Sequence, residues 1–364
     1  VTQPGSRVAS AVEGTVPVPR RMRALVKARP SRGLEIADVP VPTPGRTDVL
    51  IRVAAGGICG TDLHIYRWDP WAASRIHPPR VVGHEFSGVV VEIGDDVTEV
   101  AVGDRVAGES HIACGWCGRC RHGQAHICER LEIVGVDRDG AFAEYVVLPA
   151  RNAWRLDDAI PLDIGAIMDP LGNAVHTALA TELVTRTVAI TGCGPIGLMA
   201  IPVCRAAGAA LIIATDVRPG RLALAARMGA DVVVDARGGG AADRIRAATD
   251  GQGVDAVLEM SGHPDGIRDA LQAVRSGGWV GLLGLPPGPV ELDLANRVIC
   301  KAVRVEGIFG RRLWQTWEQM TTLLRRGLDV RPVITHRCSL ECFEEAFTLL
   351  ESGEAGKVIL TVEP

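Results

Sequence analysis

Thr187-Val188-Ala189-Ile190-Thr191-Gly192-Cys193-Gly194-Pro195-Ile196-Gly197 is the stretch that decides the fold. Residues 187–191 read as a buried strand, and the next six are G-x-G-x-x-G, placed where helix-compatible sequence begins. In that context each glycine has a task. Gly192 makes the tight turn, Gly194 lets backbone approach a pyrophosphate, and Gly197 allows close helix–strand packing. The helix N-terminus then offers N–H groups and a partial positive charge to phosphates. Asp216 follows Gly197 by 19 residues, at the end of the next apolar run. A carboxylate there accepts from ribose hydroxyls and repels a 2′-phosphate, which favours NAD over NADP. Arg218, two residues on, is the feature that would soften this preference. The bland reading is glycine for packing and Asp216 as a helix cap.

Working outward, apolar strand-length runs at 187–191, 211–215, 232–234, 255–259, 279–284 and 303–308 alternate with segments rich in Ala and Arg. Alternating βαβ units imply a parallel, doubly wound sheet, here a six-stranded Rossmann domain. The preceding part differs. Short strand candidates at 24–27, 48–55, 86–93, 105–107 and 142–148 are bounded by Gly, Pro and Asp, and helical periodicity is sparse. This reads as an antiparallel, barrel-like β domain. After Arg312 come helices at 313–325 and 340–352 and a last strand at 357–362. The expected division is a catalytic domain of residues 22–170 and 315–364 around a nucleotide-binding domain of 171–314. Residues 1–21 read as a disordered or non-native extension, with Met22 as a candidate start.

Bulk properties narrow the class. The 364 residues carry a formal charge of −4 and no run of five like charges, which weighs against nucleic acid or a membrane surface as partner. Residues 187–204 hold no charge, but their glycines and prolines fit a buried strand and helix better than a membrane span. The basic residues are 36 Arg and three Lys, read as a coding bias. The pairs Arg311-Arg312 and Arg325-Arg326 read as solvated helix faces.

Four of the ten cysteines, Cys114, Cys117, Cys120 and Cys128, fall within fifteen residues of a Gly-rich loop. Four thiolates close a tetrahedral zinc site and leave no open position, so the metal there would be structural. An iron–sulfur cluster is the alternative occupant. A second set is dispersed: Cys59 in Gly-Ile-Cys-Gly-Thr61-Asp62-Leu-His64, His84-Glu85 after Gly83, and Asp169 before Pro170. Singly, Cys59 reads as a buried thiol, His84 as a core histidine and Asp169 as a cap. Together, beside a dinucleotide loop, they make a catalytic metal site with an exchangeable position.

These motifs resemble the zinc-containing medium-chain dehydrogenases of the alcohol dehydrogenase family. The finer likeness is to the L-threonine 3-dehydrogenase branch. It is carried by Thr61-Asp-Leu-His64-Ile-Tyr-Arg67-Trp68, His111-Ile-Ala-Cys114, Asp169-Pro-Leu-Gly-Asn-Ala-Val-His176 and Gly307-Ile-Phe-Gly-Arg311. The resemblance implies a GroES-like catalytic domain, two zinc ions per chain, a homotetramer in the cytoplasm, and oxidation of L-threonine by NAD to 2-amino-3-oxobutanoate. It places the catalytic zinc on Cys59, His84 and Glu85. Asp169 approaches or orients the metal, and Thr61 and His64 relay the proton. NAD contacts fall on Ile196, Asp216, Arg221, Leu283, Gly284, Leu285, Ile308 and Phe309. Zinc would acidify the substrate hydroxyl so that a hydride can leave its carbon. Arg67 and Phe309 depart from the pattern, and Arg67 near a substrate mouth would bear on specificity. The alternative substrates are another amino alcohol, a polyol or a vicinal diol.

Overall fold

The computed structural model describes residues 17–362. Most of the expected N-terminal extension therefore lies outside the described residues. Arg21 already belongs to the first strand, Arg21–Lys27, and pairs with Pro40 of strand Glu35–Pro40, which the sequence reading missed.

Strands Val232–Asp235, Leu211–Asp216, Thr187–Thr191, Val254–Glu259, Val274–Leu282 and Arg304–Gly307 lie side by side in that order, all parallel. Numbered by appearance in the chain this is 3-2-1-4-5-6, the Rossmann order. The fifth strand starts earlier than expected because a register shift near Val254 lets Val274 join the ladder ahead of Trp279.

The other half is built on one long strand, Asp48–Gly57. It pairs along its length with Glu85–Ile93. On its other side, Tyr145–Pro149 pairs with residues 48–52, and Lys357–Thr361 pairs with residues 55–57. The last strand of the chain thus returns to the sheet of the first half. Phe142 and Ala143, expected within the 142–148 strand, instead pair with the 81–83 segment and with Ala24. Between the halves runs helix Met168–Ala178, buried at every residue except Asn173. No helix among the described residues is long and apolar enough to cross a membrane. The uncharged run 187–204 is divided between a strand and helix Pro195–Ala206.

The glycine loop divides its labour as its pattern requires. Gly192 has φ +91°, and a Cβ there would meet the Ser261 backbone at 2.8 Å. A Cβ at Gly197 would lie 2.0 Å from the Gly192 carbonyl oxygen. A Cβ at Gly194 would meet nothing within 4 Å among the described residues, so that backbone is open to an approaching ligand. Gly197→Ala is therefore expected to destabilise the fold by about 1–3 kcal/mol. Gly194→Ala should leave melting unchanged and weaken NADH binding, read by fluorescence titration. Equal loss of stability in both variants would contradict this division.

Candidate active site

Strand register assembles the first cluster. Gly57 pairs with Glu85, so the two residues beyond Gly57 bring Cys59 beside His84 and Glu85. Gly57 has to be glycine, because a Cβ would lie 2.3 Å from Glu85 Oε2. The ligand atoms of Cys59, His84 and Glu85 all lie within 4.8 Å of one another. Cys59 caps helix Gly60–Arg67, and its N–H donates to Asp62 Oδ2 at 2.9 Å. The other Asp62 oxygen sits 3.5 Å from His84 Nδ1, and among the described residues neither buried atom has another partner. A carboxylate behind one ring nitrogen orients the other towards a metal. Both Glu85 oxygens accept from the buried Lys357 ammonium, at 2.8 and 2.6 Å, and Lys357 also donates to the Ile58 carbonyl.

Thr61 Oγ1 lies 3.8 Å from Cys59 Sγ. His64, one helical turn further along, is half-exposed, hydrogen-bonded to Asp69 and packed near Trp71. Asp69 is fixed by capping Ala72 N–H at 3.0 Å. Arg67 is bound to Glu351 at 2.9 Å, a residue that also holds Arg32, so it serves as a tie to helix Phe343–Ser352.

Asp169 is not a cap. It lies inside the first turn of its helix, and its carboxylate accepts from Ser110 Oγ at 2.6 Å and from Arg311 Nη1 at 2.7 Å. The Arg311-Arg312 pair is likewise not a solvated face. Arg312 is exposed, but Arg311 is fully buried and also grips Glu109, Ser110 and His111. Trp317 Nε1 donates to the same Glu109 carboxylate at 2.6 Å. The partners lie far apart in the chain, Glu109 from Arg311 and Glu85 from Lys357, so no local pattern signals that they meet. The buried set Asp62, Glu109, Arg311 and Lys357 was missed for that reason.

The four-cysteine lobe is compact. Sγ–Sγ separations of 3.5, 3.9 and 4.0 Å link Cys117 to Cys120, Cys117 to Cys128 and Cys114 to Cys120. A tetrahedron with Zn–S bonds of about 2.3 Å has edges of about 3.8 Å, so the set fits zinc without rearrangement. Backbone N–H groups of Cys114, Cys117 and Arg130 point at its sulfurs.

At the glycine loop, Asp216 accepts from Cys193 N–H and Arg218 N–H, both at 2.8 Å, with Arg221 at 3.9 Å. The Arg218 guanidinium is drawn away to the Ser352 carbonyl at 2.6 Å. Leu285 and Phe309 present large apolar side chains to solvent, 84% and 46% exposed.

Residues 45–158 match the model of the alcohol dehydrogenase GroES-like domain, and residues 195–326 match that of the zinc-binding dehydrogenases. The chain belongs to the zinc-binding alcohol dehydrogenase family. It is 50% identical over 341 residues to L-threonine 3-dehydrogenase of Symbiobacterium thermophilum, covering 93% of this chain and 97% of that one. It is 47% identical to the enzyme of the same name from Bacillus licheniformis, covering 93% and 98%. Among solved structures it is similar to a zinc-binding dehydrogenase from Sinorhizobium meliloti bound to NADP, with TM-score 0.86, 30% identity and coverage of 94% and 99%. It is also similar to an alcohol dehydrogenase from E. coli CFT073 with NADH, with TM-score 0.86, 28% identity and coverage of 94% and 100%.

Lys357→Met leaves the Glu85 carboxylate buried without its counter-ion. The expected loss is about 3–5 kcal/mol in urea unfolding. The double variant with Glu85→Gln should recover part of that loss, because the remaining pair is uncharged. A single variant as stable as the parent would show that the two groups are not paired.

Proposed function

We propose that the chain oxidises the 3-hydroxyl of L-threonine with NAD, giving 2-amino-3-oxobutanoate, NADH and a proton. The observation that carries this is the Cys59, His84 and Glu85 cluster with Asp169 behind it, in a chain matching L-threonine 3-dehydrogenases along nearly their whole length. Sulfur, imidazole and carboxylate within one small volume suit a catalytic zinc with an exchangeable position. Bound there, zinc would make a substrate hydroxyl more acidic, and NAD would accept the hydride.

The chain's own groups supply the rest. Thr61, beside Cys59, and His64, one turn further along and open to solvent, would carry the substrate's hydroxyl proton outward. Asp69 holds the His64 ring in place. Asp169, fixed by Arg311 and Ser110, gives the reacting centre a negative neighbour of set orientation. Asp216 keeps free lone pairs for the ribose hydroxyls, and Arg218, occupied by Ser352, does not greet a 2′-phosphate. Gly192, Gly194, Ile196, Gly197, Arg221, Leu283, Gly284, Leu285, Ile308 and Phe309 complete the coenzyme site. Residues 22–170 and 315–364 form the catalytic domain and 171–314 the NAD domain. A homotetramer in the cytoplasm completes the reading.

Steady-state kinetics on L-threonine, sorbitol and 2,3-butanediol, each with NAD and NADP, test it. The highest kcat/KM should belong to L-threonine with NAD. Preference for sorbitol or 2,3-butanediol overturns the substrate assignment, and equal use of NADP overturns the coenzyme assignment. His64→Ala should keep its zinc while turnover drops by about 10²–10⁴-fold. Cys59→Ser should lose zinc and activity together. Normal turnover in the first variant would remove the relay, and full metal with full activity in the second would remove the ligand.

A further inference from the structure

Residues 309–312 form a strap that carries both Phe309, at the coenzyme site, and Arg311, behind Asp169. Its far end is pinned at Arg312, whose N–H donates to Thr316 Oγ1 at 3.0 Å and whose carbonyl accepts from Thr316 N–H at 2.9 Å. Gly310 has φ +57°, a conformation that allows the chain to reverse, and no regular strand or helix includes it. What remains to be fixed from outside is the Gly310 end of the strap and the Arg312 side chain.

His176 does this from the last turn of helix Met168–Ala178. Its Nδ1 lies 2.9 Å from the Gly310 carbonyl oxygen, and its Nε2 lies 3.2 Å from Arg312 Nε. A carbonyl only accepts and a guanidinium only donates, so Nδ1 carries the proton and Nε2 is the acceptor. Both bonds exist together only for a neutral ring. Burial, with Arg312 and Arg311 nearby, holds the His176 imidazole below its ordinary range. The imidazole thus bridges residues 310 and 312, on the two sides of Arg311. With its neighbours held, Arg311 is directed onto Glu109 at 2.8 Å and Asp169 at 2.7 Å. Asp169 and His176 lie two turns apart on one face of the same helix, so one rigid element fixes both the strap and the carboxylate that it meets. The His176 ring is backed by His126, edge-on at 5.7 Å and 86°, so it has little room to turn away.

We propose that His176 is a positioning residue for hydride transfer. It clamps Gly310 and Arg312 so that Arg311 holds Asp169 and Phe309 faces the coenzyme. This rests on the reading of the site as an L-threonine dehydrogenase. It predicts that loss of the clamp impairs coenzyme binding and turnover together, while leaving zinc in place.

The test uses the full-length, zinc-loaded protein. In His176→Leu, kcat on L-threonine should fall by roughly ten- to a hundredfold, the scale of a misplacement near 1 Å. The NADH Kd, from fluorescence titration, should rise several-fold with zinc content unchanged. His176→Gln keeps one donor and one acceptor and should restore most of both quantities. Arg312→Met alters an exposed side chain, so it should fold normally and show a smaller change in the same direction. The clamp is overturned if His176→Leu behaves as the parent, if His176→Gln is as impaired as His176→Leu, or if Arg312→Met leaves both quantities untouched. The NADH titration does not depend on substrate, so it judges the clamp even if L-threonine is the wrong substrate.

Discussion

Arg311 is a guanidinium with no access to water, and the rest of the site is arranged around that fact. A buried cation is tolerated only when its donors are met by anions and good acceptors. Glu109 and Asp169 provide the charge, and Ser110 and His111 take part of the remaining capacity. Burial alone would raise the Glu109 carboxyl. The Arg311 guanidinium, with His111 beside it, outweighs burial and holds Glu109 well below the usual carboxylate range. A carboxylate depressed in the folded state adds stability above its ordinary pKa and loses it only as pH falls through the depressed value. The Glu109–Arg311 pair is therefore fully formed at neutral pH and gives way only in strong acid.

The same network joins the halves of the molecule. Glu109, Ser110 and His111 follow strand Arg105–Gly108 of the β half, Arg311 follows the outermost strand of the parallel sheet, and Trp317 comes from helix Gln315–Arg325. A second buried pair, Lys357 with Glu85, ties the last strand of the chain to the strand that begins at the metal cluster. The Lys357–Glu85 pair places fixed charge beside Cys59 and His84 before any ligand arrives. Such preorganisation lets a site stabilise developing charge without moving.

Much of this was legible in the sequence for physical reasons. The strand-loop-helix around Gly192 is local, and each glycine has a steric reason to be one, so pattern and structure agree there. The four cysteines are also local, and tight turns between them leave few ways to arrange the sulfurs. The dispersed cluster was legible only because Cys59, His84 and Glu85 each stand in a short motif. What was lost is long-range pairing. Arg311 beside Arg312 looks like a solvated face until the strap, the helix at 168–178 and residue 109 are brought together. The three lysines show the same thing. Their scarcity reads as coding bias, yet Lys27, Lys301 and Lys357 each direct a compact ammonium at backbone carbonyl oxygens.

Two metal-ligand sets of different kinds lie in this chain, one of four thiolates that would close around zinc and one of Cys59, His84 and Glu85 that would leave an exchangeable position. The most direct measurement is zinc content and L-threonine oxidation in the same sample, before and after dialysis against a mild chelator. About two zinc per chain are expected at the outset. The open site should empty first, with activity falling in step and returning on zinc addition, while the four-cysteine zinc and the fold persist. Full activity in protein stripped of the first zinc would contradict it.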